Sequence, residues 1–205
     1  MSAAPLRLIL ASSSRYRQAL LSRLHLPFSA ISPSIDESPA PGERPDATAL
    51  RLARQKAQAV SAGAPDCLVI GSDQVATLDG MQIGKPGSHE KALAQLQLMR
   101  GREVIFHTAL CLLDPRIGAR RPIQLDEVRT TVTFRNLPDH ELDAYLRIEQ
   151  PYDVAGSAKN EGLGIALIER IESPDPTALT GLPLIALCSM LQVARVPLFQ
   201  SPAEN

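Results

Sequence analysis

The chain has few cysteines and no arrangement of histidines that would hold zinc. Its three cysteines, Cys67, Cys111 and Cys188, lie among apolar residues, and no two form a C-x-x-C pair. This pattern predicts buried free thiols in a reducing compartment and argues against a disulfide scaffold or a redox motif. The four histidines are widely separated along the chain, so zinc-ligand spacing is missing as well.

Net charge and long apolar runs are also lacking. The chain has 21 basic and 22 acidic residues, and its formal net charge is −1. A surface for general binding of polyanions is therefore not expected, which argues against a nucleic acid polymer as a partner. No apolar run approaches the length that spans a bilayer, and the first residues do not have the pattern of a signal peptide. We therefore expect a cytoplasmic protein with no membrane partner.

The chain does contain enough apolar sequence for a folded core, with 44% hydrophobic residues. Strand-like and helix-like segments alternate, which predicts the α/β class and, at 205 residues, a single domain over residues 1–205. The order of the strands is not predicted, and the tail after about residue 196 is expected to fray. Strands are predicted at 6–11, 28–32, 67–73, 103–113, 124–134 and 165–171, with a hairpin turn at 78–80. Helices are predicted at 15–24, from a cap at Asp46 or Thr48 to about 60, from a cap at Ser88 to about 99, at 138–148 and at 181–191.

A hydroxyl-rich turn, ASSSRYR at 11–17, joins the first predicted strand to the first predicted helix. Open N–H groups at the start of a helix form a suitable site for a phosphate. Arg15 and Arg17 add fork-shaped cationic donors beside this turn. A serine cap without any ligand explains the same residues and is the commoner use of such a turn.

Two acidic positions and two lysines complete a set of groups that suits phosphate chemistry. Adjacent carboxylates such as Asp36 and Glu37 can ligate a hard cation. Asp73 follows a buried apolar run, so we expect it at the carboxyl end of a strand, where open α/β sheets place their ligands. Lys56 borders the apolar stripe of the second helix, and Lys85 is held in a GKP sequence. Solvated carboxylates, a turn-capping aspartate and a snorkelling lysine are the structural alternatives.

Carboxylates that hold Mg²⁺, cations that bind phosphate oxygens and one carboxylate that activates water are the groups that hydrolyse phosphoanhydrides. The sequence has no GxxxxGK[ST] and no GxGxxG, which argues against P-loop and Rossmann chemistry.

The order of these motifs resembles the Maf family of nucleotide pyrophosphatases, along nearly the whole chain. The resemblance implies an elongated, mixed-sheet α/β fold with two lobes and a central nucleotide cleft. It also implies cleavage between the α- and β-phosphates of a nucleoside triphosphate, with a divalent cation (Mg²⁺, Mn²⁺ or Co²⁺) as cofactor. The matching segments are LILASSSRYR (8–17), DES (36–38), LARQKA (52–57), VIGSDQV (69–75), IGKP (83–86), FHTAL (106–110), GSAKNEGLG (156–164) and TGLPLIAL (180–187).

By this resemblance, four residues are catalytic: Asp73, Lys85, Glu37 and Lys56. Asp73 accepts the proton of the attacking water, Glu37 and Asp73 belong to the metal site, and the two lysines contact phosphate oxygens. Ser12 and Arg17 match the phosphate-binding turn. The family commonly has two consecutive arginines here, whereas this chain has Arg17 followed by glutamine. The second position is then either unimportant or replaced by Arg15.

Three further positions concern the choice of base: Tyr16, Gln74 and Glu161. Family members that act on dTTP and UTP typically have Arg, Thr and Gln there, whereas the branch that acts on 7-methyl-GTP resembles this chain at Gln74 and Glu161 and often has Trp at position 16. A ring stacked on the cationic methylated base gains a cation–π interaction, and a carboxylate can accept from N1–H and the 2-amino group of guanine. Tyr16 packing in the core is the structural alternative.

Two other functions stay open at this stage. One is a Maf pyrophosphatase with another base preference, such as UTP, dTTP or a modified purine. The other is a nucleotide-binding regulator of cell division that needs no turnover. The expected partner in each case is a small nucleotide, and the oligomeric state, a homodimer included, is not predicted.

Overall fold

The computed structural model describes residues 7–116 and 118–199. Within these residues the chain forms seven strands, five α-helices and two short 3₁₀ turns. The strands are β1 (Arg7–Ala11), β2 (Phe28–Ala30), β3 (Cys67–Leu78), β4 (Met81–Ile83), β5 (Glu103–Leu113), β6 (Ile123–Phe134) and β7 (Ile168–Glu172). The helices are α1 (Arg15–Ser22), α2 (Pro45–Ser61), α3 (His89–Met99), α4 (Asp139–Glu149) and α5 (Leu184–Val193), and the 3₁₀ turns are Ala155–Ser157 and Leu163–Leu167.

All seven strands form one mixed sheet in the order β2-β1-β3-β5-β6-β7, with β4 pairing to β3. β1 runs parallel to β2 and β3, because helices α1 and α2 return the chain to the start of each next strand. From β3 onward every pairing is antiparallel. The sheet therefore has a parallel half and an antiparallel half that share β3.

Three hydrophobic clusters cover the sheet. On one face, α1 and α5 pack over the parallel half, and α3 and α4 pack over the antiparallel half. On the other face, α2 packs over the centre of the sheet. The two helix pairs on the first face correspond to the two lobes that the family resemblance implies, and the mixed α/β class is confirmed.

β3 extends beyond its predicted end, so the prediction that Asp73 ends a strand is wrong. The strand continues to Leu78 and turns into β4 at Asp79 and Gly80, whose φ angles of 50° and 79° suit a two-residue hairpin. β1 pairs with β3 only as far as Gly71, and β4 pairs with it only from Ala76. Within the described residues, Ser72–Val75 therefore have no strand partner on that side. This gap in the sheet is the feature that creates the functional site.

Most predicted elements are confirmed within one to three residues, and α3 with its Ser88 cap and β5 agree at both ends. The caps predicted for α2 are wrong, since the helix begins at Pro45 with Arg44 at the cap position. Proline is favoured at the first helical position, and Asp46 then lies in the first turn, where a carboxylate is also favoured.

Two later boundaries also differ from the prediction. α5 starts at Leu184 and not at Gly181, because Gly181 has a φ of +105° that no helix accepts. β7 starts at Ile168, because the residues before it form a 3₁₀ turn.

The cysteines are free, as predicted, and Cys67 and Cys111 are buried, but Cys188 is partly exposed. No helix in the described part of the chain is long and apolar enough to cross a membrane. Leu6, at the start of the first predicted strand, lies outside the described residues, as does the tail from residue 200.

Candidate active site

A cavity of about 570 Å³ opens at the gap beside β3. Its walls are the turn after β1, the loop that carries Glu37, helix α2, the loop after β4 and the loop between α4 and β7. The structure thus brings together residues that lie far apart in the chain. All nine candidate residues line this one cavity: Ser12, Tyr16, Arg17, Glu37, Lys56, Asp73, Gln74, Lys85 and Glu161.

Lys56 and two carboxylates form a charged cluster at one end of the cavity. The Nζ of Lys56 donates to Oδ1 of Asp73 at 2.6 Å and lies 2.7 Å from Oε1 of Glu37. Lys56 and Asp73 are each only 6% exposed, which excludes a snorkelling lysine at this position. The ammonium group of the lysine is therefore held between the two carboxylates.

Glycine at position 71 allows this approach of α2 to β3. A Cβ atom on Gly71 would clash with the backbone of Ala53 and Ala57 on the helix. Any larger residue would push α2 outward and carry Lys56 away from Asp73.

The two carboxylates of this cluster have different pKa values because their surroundings differ. Burial raises the pKa of Asp73 above its ordinary value, and the nearby charges of Lys56 and Arg17 only partly offset that effect. For Glu37, partial burial also acts upward, but the hydrogen bond and charge of Lys56, with help from Lys85 and Arg17, lower the net pKa. Asp73 is therefore the better proton acceptor, and Glu37 stays ionised.

The serine-rich turn serves both as a helix cap and as a cavity wall. Ser14 caps α1, because its Oγ accepts from the backbone N–H of Arg17 at 3.4 Å. Ser12 Oγ accepts from the backbone N–H of Ser14 at 3.1 Å and lies 3.5 Å from a guanidinium nitrogen of Arg17. The Nε of Arg17 donates to the carbonyl of Gly181 at 2.8 Å. Burial lowers the pKa of Arg17, although the charges of Asp73 and Glu37 act in the opposite direction.

The loop that carries Glu37 has no helix or strand of its own and is held by an ion pair. Arg51 on α2 donates to both carboxylate oxygens of Glu43 at 2.7 Å and to the carbonyl of Ser38 at 3.0 Å. Glu43 also accepts from Ala40 N–H, and these bonds lower its pKa to about 2. The carbonyl held by Arg51 belongs to the residue next to Glu37, so this ion pair places Glu37 beside Lys56.

Lys85 is exposed in the loop between β4 and α3. Its charge contributes to lowering the pKa of Glu37, so the two side chains act on the same part of the cavity. Ser12, Arg17, Glu37, Lys56, Asp73 and Lys85 form a group that we call the phosphate end of the cavity, after the role that the family resemblance implies for them.

The other three candidate residues, Tyr16, Gln74 and Glu161, also line the cavity, and we call their part of it the base end, after the role that the family resemblance implies for them. The amide nitrogen of Gln74 contacts Thr108 Oγ1 at 2.9 Å and the carbonyls of Ala178 and Leu179 at 3.1 and 3.0 Å. These three acceptors fix the amide, so only its oxygen remains for a ligand. Partial burial raises the pKa of Glu161, although the carboxylate lies on an exposed stretch of the loop.

The cavity has further polar lining residues that the sequence did not single out. Lys159 and Asn160 lie in the same glycine-flanked loop as Glu161, so the prediction for Glu161 could have been extended to them. Gln82 and Asp153 line the cavity too, but nothing in their local sequence distinguishes them. Gln18, which replaces the second family arginine, is not among the lining residues, whereas Arg15 is.

The donor set fits a divalent cation that is shared with a substrate. Glu37 and Asp73 contact the same ammonium group, so both can approach one ion. In the described residues no group of three His, Cys, Asp or Glu side chains forms a complete protein site. Mg²⁺ is commonly bound by one or two carboxylates together with substrate phosphates and water, which is the arrangement available here.

A family model described as "Maf-like protein" matches residues 7–194 of the chain. The chain belongs to the Maf-like family. Among its curated Maf-like relatives, the 7-methyl-GTP pyrophosphatase of Ralstonia nicotianae is 68% identical over 192 residues, which cover 94% of this chain and 97% of the relative. The 7-methyl-GTP pyrophosphatase of Burkholderia thailandensis is 66% identical over 201 residues, which cover 97% of this chain and 92% of the relative.

Solved structures give weaker matches. A nucleoside-triphosphatase (dITP/XTP pyrophosphatase) from Mycobacterium abscessus has a TM-score of 0.41 and 20% identity, covering 65% of this chain and 76% of that chain. The Ham1 protein of Staphylococcus aureus has a TM-score of 0.45 and 14% identity, covering 63% and 72%.

Proposed function

We propose that this Maf-like protein hydrolyses the α–β phosphoanhydride of 7-methyl-GTP and yields 7-methyl-GMP and pyrophosphate. The observation that carries the proposal is the meeting, in one cavity, of the charged phosphate end with the aromatic and carboxylate groups of the base end. The name of the curated relatives at 65–68% identity supports the same substrate.

At the phosphate end, Asp73 takes the proton of the attacking water. Its raised pKa suits this role, because a base with a higher pKa binds the proton more readily. Lys56 is bonded to Asp73 and holds it in place, and its ammonium group contacts a phosphate oxygen of the substrate. The water oxygen bonds to the α-phosphorus, the bond from that phosphorus to the α–β bridging oxygen breaks, and the β- and γ-phosphates leave together as pyrophosphate.

Ser12, Arg17 and Lys85 bind the phosphate oxygens. Arg17 is already fixed by the carbonyl of Gly181, so it presents its remaining donors without losing freedom. A divalent cation (Mg²⁺, Mn²⁺ or Co²⁺), held by Glu37 and Asp73, supplies neutralisation of phosphate charge when it is bound. The low pKa of Glu37 keeps that carboxylate ionised for such a role.

At the base end, the ring of Tyr16 stacks on the methylated guanine, whose positive charge gains a cation–π interaction. Glu161 accepts from N1–H and the 2-amino group, two donors that thymine and uracil do not offer together. The amide nitrogen of Gln74 is bound to the protein, so only its oxygen remains to accept from the base.

The test is a pyrophosphate-release assay on 7-methyl-GTP, GTP, UTP and dTTP with the metal added back after chelation. We expect a nucleoside monophosphate and pyrophosphate as the first products, with 7-methyl-GTP preferred. Orthophosphate as the first product, without an added pyrophosphatase, would contradict the reaction. A preference for UTP or dTTP would contradict only the base assignment.

Another base preference is the second candidate, because position 16 is Tyr and not Trp, and Trp has the stronger cation–π face. A cell-division regulator that binds nucleotide without turnover is tested by the same assay, since it would release no pyrophosphate. We further propose that residues 1–205 act as a single domain in the cytoplasm, which the free cysteines support. Light scattering of the purified protein would distinguish a monomer from a homodimer.

A further inference from the structure

The loop that carries Glu161 is fastened to helix α4 on both sides of that residue. Before Glu161, the hydroxyl of Tyr145 donates to the carbonyl of Ser157 at 2.9 Å and accepts from the N–H of Lys159 at 3.1 Å. Tyr145 is buried in the core, so this side of the loop is attached to a rigid part of the molecule.

After Glu161, the loop is fastened by Glu149, at the carboxyl end of α4. One carboxylate oxygen of Glu149 accepts from the N–H of Leu163 at 2.8 Å, and the other pairs with Nζ of Lys159. These bonds lower the pKa of Glu149, so its carboxylate is ionised at neutral pH. The side chain of Glu149 is only 14% exposed, which places it under the loop and not on the outer surface.

The fit of this carboxylate against the loop is close. A Cβ atom at position 162 would lie 2.6 Å from one oxygen of Glu149 and 2.9 Å from the other. Gly162 follows Glu161 directly, so the backbone that presents Glu161 rests on the Glu149 carboxylate.

Glu149 also controls a charge at the base end. Lys159 and Tyr16 both line the cavity, and the pKa of Lys159 is raised first by the hydrogen bond to Glu149 and also by Tyr16. An unpaired ammonium beside Tyr16 would repel a positively charged base. Because Glu149 neutralises Lys159, the negative charge of Glu161 dominates at this end.

We propose that Glu149 is a positioning residue for base selection, which fixes the loop under Glu161 and cancels the charge of Lys159 beside Tyr16. The choice of 7-methylguanine as the base rests on the proposed function. The positioning role itself applies to whichever nucleotide the protein prefers.

Two variants separate these effects. Glu149→Ala removes both the loop contact and the charge, whereas Glu149→Gln keeps an acceptor for Leu163 and removes the charge and the acceptor oxygen that pair with Lys159. Loss of a hydrogen bond to a charged group is expected to raise KM for 7-methyl-GTP by about tenfold in Glu149→Ala, with kcat changed less than about twofold. Glu149→Gln should raise KM for 7-methyl-GTP by more than it raises KM for GTP, because only the methylated base is cationic.

The controls use the same helix and the other end of the cavity. Glu141→Gln makes the same change at an exposed position of α4 and should leave KM and kcat for both nucleotides as in the wild type. Inorganic tripolyphosphate, as a competitive inhibitor, probes the phosphate end alone, and its inhibition constant should not change in any Glu149 variant. The double variant Glu149→Gln/Lys159→Met should return the ratio of KM for 7-methyl-GTP to KM for GTP to its wild-type value, since no unpaired charge remains.

Unchanged KM values in both Glu149 variants would overturn the proposal. So would equal loss of nucleotide and tripolyphosphate binding, because that pattern indicates general damage to the fold. If Glu149→Ala does not fold, Glu149→Gln and the double variant decide the matter. If the wild type prefers UTP or dTTP, the base assignment fails. The positioning role is then tested with the preferred nucleotide: its KM should rise in the Glu149 variants, while the inhibition constant of tripolyphosphate should stay unchanged.

Discussion

The two ends of the cavity are built in different ways. At the phosphate end, Lys56 and Asp73 project from a helix and a central strand, are almost fully buried, and are bonded to each other. At the base end, Glu161 projects from a loop that is fastened by a few hydrogen bonds. Under the proposed function, the proton acceptor Asp73 and its partner Lys56 are thus placed on rigid elements, and the carboxylate proposed to bind the base is placed on a loop, where sequence changes disturb the core least.

The largest effect is expected for Asp73→Asn at the phosphate end. The change keeps the shape but removes the base, and loss of general-base catalysis typically lowers kcat about 10²–10⁴-fold. Steady-state kinetics with circular dichroism would measure turnover and folding together. Asp66→Asn, at an exposed position just before β3, is the matched control. A folded Asp73→Asn protein with wild-type kcat would assign the base to another group.

Lys85→Ala should weaken use of every triphosphate by a similar factor. Hydrogen bonds to charged groups contribute about 1.5–3 kcal/mol, so kcat/KM should fall roughly 10–100-fold. The loss should shrink at high salt, where phosphate attraction is screened. Lys91→Ala on the neighbouring helix is the control. A variant that melts earlier but keeps its kinetics while folded would indicate a structural role for Lys85.

The pH dependence should report Asp73 and not Glu37. The base must be deprotonated, so kcat/KM should fall about tenfold per pH unit below the pKa of Asp73. Because burial raises that pKa, this decline should begin at a higher pH than for an ordinary aspartate. Glu37, with its lowered pKa, stays ionised through the same range. A pH–rate profile of the free enzyme tests this, and a decline that starts only near the pH of ordinary carboxylates would contradict it.

Glu161→Gln should change base choice without damage to the phosphate end. The amide presents a donor toward a guanine donor, and the lost charge-assisted bond corresponds to a fall of about tenfold or more in kcat/KM for 7-methyl-GTP. The kcat/KM values for UTP and dTTP should fall less than this or should rise. Equal losses on all four triphosphates would show that Glu161 does not select the base.

Tyr16→Ala should have the smallest effect of the series. A cation–π contact at a partly exposed site contributes about 0.5–1 kcal/mol, so kcat/KM for 7-methyl-GTP should fall a few-fold more than kcat/KM for GTP. The ratio of the two kcat/KM values, measured in one preparation, is the readout. An unchanged ratio would mean that the ring packs against the protein and does not touch the base.

The same contrast explains which parts of the site could be predicted from the sequence. Lys56 lies next to a clear apolar stripe and Asp73 follows a run of branched residues, so local patterns indicated both. The extent of β3 was missed because Ser72 and Asp73 resemble a polar strand end, whereas their partners come from Gly181 and Lys56, far away in the chain. Such tertiary partners leave no local signal.

At the base end, local sequence carried less information. Glu161 was visible as a carboxylate between glycines, and the resemblance to the family supplied its role. Glu149 looks like any glutamate near the end of a helix, and its contact with Leu163 depends on how the loop folds back. The binding of the Gln74 amide to the carbonyls of Ala178 and Leu179 is equally invisible without the fold.

The gap beside β3 has a further consequence for the solubility of the protein. Four residues in the middle of a strand, Ser72–Val75, present backbone groups that no neighbouring strand uses on that side within the described chain. Unpaired strand edges can recruit strands of other molecules and start aggregation when they are exposed, but Ser72, Asp73 and Val75 are buried. Here the opening is short and is bounded by β1 and β4, so an incoming strand would meet both of them. A strand of another molecule therefore cannot pair there over any useful length.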